Sequence, residues 1–476
     1  MAKQFKEQGG IATMDPSALF RWLSSKVIGR IISPQRLAKR RQKFEKQRRA
    51  NGEKYLVEYF HQVDDGYSHL AAQVLEPLRQ RYDIELRCYL VTGPSGDNRV
   101  EPELLSNLSR YDASCIAPHY GLAAPAGDPV TSGSLKSSSS QPLRPEAIAQ
   151  AQGVMAAILL EPSRAADVAK LISVVSSALY SADSAALASL ADQYGCASAE
   201  QQQQCIAAGN DRRTALKHYS GGMFYCAEEW YWGVDRLHYL ETRLAEAGVD
   251  RQPDQPLLMP RLAVEPGIHR DNGSLTLEIY PSLRSPYTAV VFEQTLKLAE
   301  TTGVKLVVRP VLPMVMRGVP ATREKGMYIF TDTAREARSA GVAFGNFYDP
   351  IGNPVRNCYS LYPWACEQGL GNQLIASFLS CAFAQGINTN NHRGLKKVVE
   401  QAGLDWSVAK TLIGQPGWED ILENNRLAMY EAGLWGVPSF RLLNQQGESV
   451  LALWGQDRLW LVAREIERQL TLDSAS

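Results

Sequence analysis

The fold of this chain is decided by the stretch Tyr55-Leu-Val-Glu-Tyr-Phe60, which runs into Asp65-Gly66-Tyr67-Ser68. It aligns without a gap with Leu275-Thr-Leu-Glu-Ile-Tyr280, which runs into Ser285-Pro286-Tyr287-Thr288, at an offset of 220 residues. The same offset aligns 86–91 with 306–311, and Trp232-Gly233-Val234-Asp235-Arg236-Leu237 matches Trp454-Gly455-Gln456-Asp457-Arg458-Leu459 at nearly the same spacing. A repeat this long indicates a tandem duplication of one globular domain.

Each copy begins with a β-α-β pattern. Apolar β-rich runs at 55–60 and 275–280 are followed by amphipathic helices near 68–81 and 288–301, and then by second β-runs at 84–91 and 304–311. Such units predict parallel strands joined by a right-handed crossover. Each copy continues through a helical middle and ends with two short β-runs and a helix. The predicted fold class is therefore α/β, with two thioredoxin-like folds that each carry a helical insertion.

The bulk properties describe a globular protein without a strong overall charge. The 476 residues are 45% hydrophobic, and 50 Lys and Arg balance 50 Asp and Glu, so net charge gives no reason to expect binding to nucleic acid or lipid. No stretch is apolar enough for a spanning helix or a secretory signal, which makes the cytoplasm the default location. The eight cysteines include no Cys-x-x-Cys pair and predict neither a metal site nor a disulfide framework.

Composition also divides the chain. Residues 1–52 form a predicted basic helical arm, because 1–50 hold thirteen Lys and Arg against three Asp and Glu. A solvated arm lying across acidic parts of its own protein is preferred over contact with nucleic acid or a membrane. We predict domain 1 at 53–250, with a Ser-rich flexible loop at about 127–145, a linker at 251–272 and domain 2 at 273–476.

Copy two carries residues suited to thiol chemistry. Ser285 precedes the first helix, whose N-terminus favours an anion such as a thiolate, although Ser285 and Pro286 also suit a plain helix cap. Val437-Pro438, after a glycine-containing turn and before an apolar strand, predicts a cis peptide bond that exposes the Val437 backbone to a peptide ligand. Asp457 opens the last helix, as a plain N-terminal carboxylate or as a contact for an α-amino group.

Together these residues closely resemble the 2-hydroxychromene-2-carboxylate isomerase and kappa-class glutathione transferase branch of the DsbA-like thioredoxin superfamily, mainly over 274–470. The resemblance implies that Ser285 faces the glutathione sulfur and that Val437 and Pro438 bind the tripeptide backbone. It also implies that Gln456 and Asp457 receive the γ-glutamyl end. A Lys-x-x-Tyr-x-x-x-Asp-x-x-Arg run of that family is matched by Lys325, Tyr328, Asp332 and Arg335; Lys325 is interpreted as an anion contact and the Asp332/Arg335 pair as structural. The family's asparagine has no counterpart in the short loop 314–323.

Copy one departs from this pattern. Asp65-Gly66 stands where copy two has Ser-Pro, and Gly222-Met223 stands where copy two has Val-Pro. A carboxylate repels a thiolate, and Met223 gives no reason for a cis bond. We therefore predict that copy one is a degenerate domain kept for packing or for a different ligand.

The favoured hypothesis is a glutathione-dependent isomerase or transferase, with copy two active, glutathione as cosubstrate and no metal. Its other substrate would be a small apolar or aromatic electrophile between the thioredoxin core and the helical insertion, with Trp364 or Phe378 as walls; Trp435 is a further neighbour or a core residue. The alternatives are a non-catalytic thioredoxin-fold binding protein, or a thiol oxidoreductase by superfamily resemblance only. Because the resembling family makes a dimeric ancestor plausible, we also predict that the copies pack as an intramolecular pseudo-dimer.

Overall fold

The computed structural model describes residues 15–125 and 143–475, with side chains up to residue 472. The chain divides into two compact units. The first unit comprises 40–263, and the second comprises 264–476 together with the N-terminal residues up to Lys39. All but the last three residues of the predicted Ser-rich loop at 127–145 lie outside the described residues.

The predicted N-terminal arm is two helices, α1 (Ala18–Ile31) and α2 (Pro34–Asn51). The second helix begins at Pro34, and the Arg36 N–H donates to Ser33 Oγ at 3.3 Å. Within the first unit, the Arg41 guanidinium donates two 2.8 Å hydrogen bonds to the Glu229 carboxylate. This contact is of the kind expected for a basic arm lying on acidic parts of its own protein.

The first unit contains one four-stranded mixed sheet with the strand order β2-β1-β3-β4. The strands β1 and β2 are parallel, and the other pairs are antiparallel. The strands are β1 (Tyr55–His61), β2 (Ile84–Leu90), β3 (Met223–Cys226) and β4 (Glu229–Trp232). The helices are α3 (Gly66–Gln73), α4 (Leu75–Arg81), α5 (Pro102–Ile116), α6 (Pro145–Leu160), α7 (Val168–Tyr180), α8 (Ser184–Tyr194), α9 (Ala199–Ala215) and α10 (Leu237–Glu246).

The second unit repeats this plan with the strand order β6-β5-β7-β8. Its strands are β5 (Thr276–Tyr280), β6 (Lys305–Val308), β7 (Ser439–Leu443) and β8 (Ser449–Trp454). Its helices are α11 (Pro286–Thr302), α12 (Arg323–Ser339), α13 (Asn353–Glu367), α14 (Gly371–Phe383), α15 (His392–Gln401), α16 (Trp406–Leu412), α17 (Trp418–Glu431) and α18 (Leu459–Ala475). The strand β6 is shorter than the predicted 304–311, since Pro310 has no N–H to donate to a strand partner.

The two sheets share register as well as order. Leu56 pairs with Glu85 in the first sheet, and the residues 220 positions later, Thr276 and Lys305, pair in the second. In both units, helices α5 to α9 or α12 to α17 are inserted between the β-α-β unit and the closing hairpin. The predicted fold class, two thioredoxin-like folds that each carry a helical insertion, is confirmed.

Of the four histidines that are buried in the described part of the first unit, His61 and His69 are buried most deeply. His61 is fully buried and His69 almost so. Tyr59 Oη, which donates to the Ser68 carbonyl at 2.9 Å, lies 3.0 Å from His61 Nδ1, so Nδ1 carries the proton in this pair. Among the described residues, His61 Nε2 has no hydrogen-bond partner. Burial lowers the pKa of His61 to about 3 and that of His69 to about 4.

Mild acid is therefore expected to destabilise the first unit through these two histidines. Both histidines are neutral in the fold and bind protons near pH 6.5 when unfolded, so stability present above pH 6.5 is lost as the pH falls toward the folded values. The loss is about 2 kcal/mol per histidine at pH 5. We expect urea unfolding of the first unit at pH 5 to begin at a lower concentration than at pH 7. His61→Phe should remove about half of this pH dependence, and an unchanged slope would contradict the assignment.

Candidate functional site

Ser285 lies at the N-terminus of α11 and is buried. Its Oγ accepts a 3.2 Å hydrogen bond from the Thr288 N–H, which is the ordinary contact of a helix N-cap. The same hydroxyl donates to the carbonyl oxygen of Val437 at 3.4 Å. Ser285 is thus a cap residue whose proton points at the loop before β7.

The Val437–Pro438 peptide bond is cis, as predicted. It is the only cis bond among the described residues, so Gly222–Met223 is trans, also as predicted. Val437 is half-buried, and in the described part of the chain its N–H makes no hydrogen bond. The N–H of Gly455 donates to the Pro438 carbonyl at 3.0 Å, which brings the turn before α18 beside this loop.

Lys325, in the first turn of α12, reaches the same loop. Its Nζ lies 5.8 Å from the ring centroid of Trp435, within cation–π range. Burial lowers the pKa of Lys325 from its ordinary value. Trp435 is itself buried, and its indole N–H has no hydrogen-bond partner among the residues that the structure describes. The next residue, Gly436, has no room for a side chain, because a Cβ there would collide with the ring of Trp454.

Gln456 and Asp457 form the turn before α18 and have different environments. Gln456 is buried and donates from Nε2 to Glu336 Oε2 at 2.9 Å, so Glu336 orients the amide. Asp457 keeps about a quarter of its side chain exposed and lies 3.7 Å from the guanidinium of its neighbour Arg458. Sequence reasoning missed Glu336, although it directly follows Arg335 in the Lys-x-x-Tyr motif run.

Asp332 and Arg335, on α12, form a hydrogen-bonded cluster with Tyr287 of α11. Arg335 donates to Asp332 Oδ1 at 2.6 Å, and Tyr287 Oη donates to Asp332 Oδ2 at 2.8 Å. The equivalent bond from Tyr67 to Asp112 in the first unit has the same length. Asp332 is fully engaged by these contacts, which agrees with the structural role predicted for the pair.

The two predicted walls of an electrophile site, Trp364 and Phe378, differ in how deeply they are buried. Phe378 is completely buried in α14, so its proposed role as a wall of an open site is wrong. Trp364, on α13, is half-buried and retains some exposed surface. The structure leaves Trp364 as the candidate wall among the two.

In the first unit, the position of Ser285 is taken by a carboxylate that is already satisfied. Asp65 accepts from the N–H and Oγ of Ser68 at 2.8 and 2.9 Å and from Ser109 Oγ at 2.9 Å. Burial raises its pKa above the ordinary value, against the lowering effect of these hydrogen bonds. The N–H of Gly66 donates to Ser109 Oγ at 3.2 Å, so α5 covers the start of α3. A Cβ on Gly66 would lie only 2.7 Å from the Ser109 carbonyl.

The arrangement has a counterpart in a known family. Residues 276–467 match the DSBA-like thioredoxin domain. These residues form a DsbA-like thioredoxin domain. The strand order of the second sheet and the cap at Ser285 are therefore features of this DsbA-like domain, and the first unit repeats its sheet topology. No curated protein sequence matches the chain at a significant level.

Several solved structures also resemble part of the chain. A 2-hydroxychromene-2-carboxylate isomerase is 18% identical, with a TM-score of 0.35, over 42% of this chain and 98% of its own. A probable DsbA oxidoreductase from Streptomyces coelicolor is 19% identical, with a TM-score of 0.32, over 40% and 89%. The cytosolic disulfide reductase DsbM from Pseudomonas aeruginosa is 19% identical, with a TM-score of 0.28, over 41% and 99%.

Proposed function

We propose that the DsbA-like domain binds glutathione and acts as a glutathione-dependent isomerase or transferase on a small apolar or aromatic electrophile. The observation that carries the proposal is the position of the Ser285 hydroxyl, at the N-terminus of α11 and 3.4 Å from the Val437 carbonyl. Disulfide exchange needs a thiolate at its reacting position, and none of the eight cysteines lies within α11 or adjacent to it in sequence. A serine there is suited to hold the thiolate of another molecule.

Ser285 can change partners at little cost. Its bond to Val437 is long for an O–H···O contact, so turning the proton to a sulfur anion gives up a weak interaction. The bond that Oγ accepts from Thr288 remains in place during this turn. The partial positive charge of the α11 N-terminus adds to the stabilisation of a thiolate. The pKa of the bound thiol should therefore fall toward neutrality.

The surrounding residues offer the polar groups that a charged tripeptide requires. The N–H of Val437 suits strand-like pairing with a peptide carbonyl. The Lys325 ammonium and the buried N–H of Trp435 suit a carboxylate, and the Asp457 carboxylate suits an ammonium group. Pro438 and Gln456 shape the two turns that bring these groups together. When bound, glutathione would supply the nucleophilic sulfur, and the chain would orient it and stabilise its charge.

The electrophile would lie between the α11 end of the thioredoxin core and the helical insertion of the same unit, beside Trp364. Cytoplasmic location fits the proposal, because all eight cysteines are free and reduced glutathione requires a reducing compartment. The first unit is proposed to take no part in thiol binding, since its Asp65 is satisfied by Ser68 and Ser109.

The test is the ultraviolet absorbance of the glutathione thiolate, titrated against pH with the full chain present. We expect the midpoint to lie one to two pH units, as an order of magnitude, below that of free glutathione. A nitroaromatic halide then serves as the probe electrophile: consumption of glutathione with release of halide indicates a transferase. No thiolate signal and no retention on immobilised glutathione would contradict the proposal and favour a non-catalytic binding protein.

A further inference from the structure

The helix α1 displays an unusual apolar surface. Twelve large hydrophobic side chains are exposed in the described part of the chain, and five of them belong to this one 14-residue helix. Their exposed fractions range from 48% to 73%. These five residues, called here the apolar face of α1, are Leu19, Phe20, Trp22, Leu23 and Val27. Clusters of this kind on a folded protein usually mark an interaction surface.

The outward orientation of this face is fixed by contacts on the other side of α1. Arg21 is only 1% exposed. Its guanidinium donates to the carbonyl oxygens of Asp349 at 2.6 Å and Ile351 at 2.7 Å, within the second unit. Ser25, one turn later, is also buried, and its Oγ accepts from the Asp349 N–H at 3.0 Å. The helix is therefore anchored through its polar side and presents its apolar face to solvent.

The exposed charged side chains of α1 itself are all basic. Lys26 and Arg30 are exposed and continue the row of Leu19 and Leu23 at helical spacing, and α1 contains no Asp or Glu. The following helix, α2, has a single acidic residue, Glu45. Its exposed basic side chains within the same unit are Arg36 and Lys39. The apolar side chains suit an apolar interior, and the adjacent lysine and arginine suit an anionic outer layer. Together they complement a surface that has both.

We propose that the apolar face of α1 binds the surface of an anionic lipid bilayer, with α1 lying in the interface. Trp, Phe and Leu on one side of a helix and Lys and Arg beside them form the pattern of interfacial helices. Tryptophan favours the level of the lipid headgroups, and long basic side chains extend toward their phosphates. None of the described helices is long and apolar enough to cross a membrane. The binding is independent of the glutathione site proposed above.

A second copy of the chain is the competing occupant, and charge argues against it. Pairing the apolar faces of two α1 helices about a twofold axis would place Lys26 and Arg30 of both copies around one contact. Like charges held at such distances oppose association, whereas an anionic lipid surface attracts each nearby Lys or Arg.

The experiment is co-sedimentation of the full chain with phosphatidylcholine vesicles, with and without phosphatidylserine. We expect binding to vesicles that contain phosphatidylserine and at least about tenfold weaker binding to the neutral ones. Trp22→Ser combined with Leu23→Ser should reduce the binding at least about tenfold, because two large apolar groups no longer enter the bilayer. Lys26→Gln combined with Arg30→Gln should reduce it by about fivefold per charge, on anionic vesicles alone.

Val408→Ser is the matched control, because Val408 is an exposed apolar residue on α16 and 41% of its surface is accessible. It should bind vesicles as the parent does, and all variants should keep the parent's circular dichroism spectrum. Equal binding to neutral and anionic vesicles, or an equal loss in Val408→Ser, would overturn the proposal. Failure of the parent to bind any vesicles would also overturn it. If the parent then forms a concentration-dependent dimer in vesicle-free solution, and Trp22→Ser abolishes that dimer, a second copy of the chain covers the face.

Discussion

Ser285→Ala is expected to weaken binding of the glutathione thiolate by roughly 1.5–3 kcal/mol, which is about 10- to 150-fold. The substitution removes the hydroxyl that now donates to Val437 and that can turn toward a sulfur anion. It leaves the backbone N–H groups of α11 in place, so a weaker preference for the thiolate should remain. The pKa of the bound thiol should rise accordingly, as measured by thiolate absorbance against pH.

Two matched variants make this result specific. Ser285→Thr keeps a hydroxyl that can cap α11 and donate to sulfur, so it should retain most of the binding. Asp65→Ala changes the equivalent cap in the first unit and should leave the thiol pKa unchanged, since Ser68 and Ser109 already occupy that carboxylate. An equal loss from Ser285→Ala and Asp65→Ala would mean that both units bind glutathione and that the first is not degenerate.

Glu278→Ala is expected to cost roughly 1.5–3 kcal/mol of the free energy of unfolding of the second unit. Glu278 is buried on β5, accepts 2.7 Å hydrogen bonds from Arg309 and Arg441, and accepts a third bond from Tyr280. Burial alone would raise its pKa, but the hydrogen bond and charge of Arg441, with those of Arg309 and Tyr280, hold it below the ordinary value. Its removal leaves two arginines without their shared carboxylate, and their partial exposure limits the loss.

Urea denaturation of Glu278→Ala measures this loss against two controls. Glu58→Ala removes the equivalent carboxylate from β1, where Arg212 is more exposed than either arginine around Glu278, so its effect on the first unit should be smaller. Glu300→Ala removes an exposed carboxylate of α11 and should change little. A Glu278 variant no less stable than the Glu300 variant would contradict the role assigned to this cluster.

The sequence predicted the architecture well because the duplication supplied two examples of every element. The strand positions in the first copy predicted those in the second. Glu58 and Glu278 occupy the same buried position in the two sheets. The cis bond at Val437–Pro438 was also predictable, since X-Pro bonds alone have a small preference for trans. Local chemistry was sufficient for these features.

Features that depend on contacts distant in sequence were not predictable. The burial of Arg21 depends on carbonyl oxygens more than 300 residues away, and nothing in the basic composition of the arm indicates it. Phe378 was mistaken for a site wall because an apolar helical pattern does not distinguish a core side from a ligand-facing side. The cover of Ser109 over Asp65 likewise has no local signal, because it depends on how α5 packs.

Calorimetric titration of the full chain with glutathione, in parallel with S-methylglutathione, tests whether Ser285 binds a thiolate. We expect one site per chain, release of a proton on binding of glutathione near neutral pH, and at least about tenfold weaker binding of the methylated ligand, which cannot form a thiolate. Repeating the titration in buffers of different ionisation enthalpy reports the released proton. Equal affinity for the two ligands without proton release, or no binding of either, would contradict the assignment of Ser285 as a thiolate-binding residue.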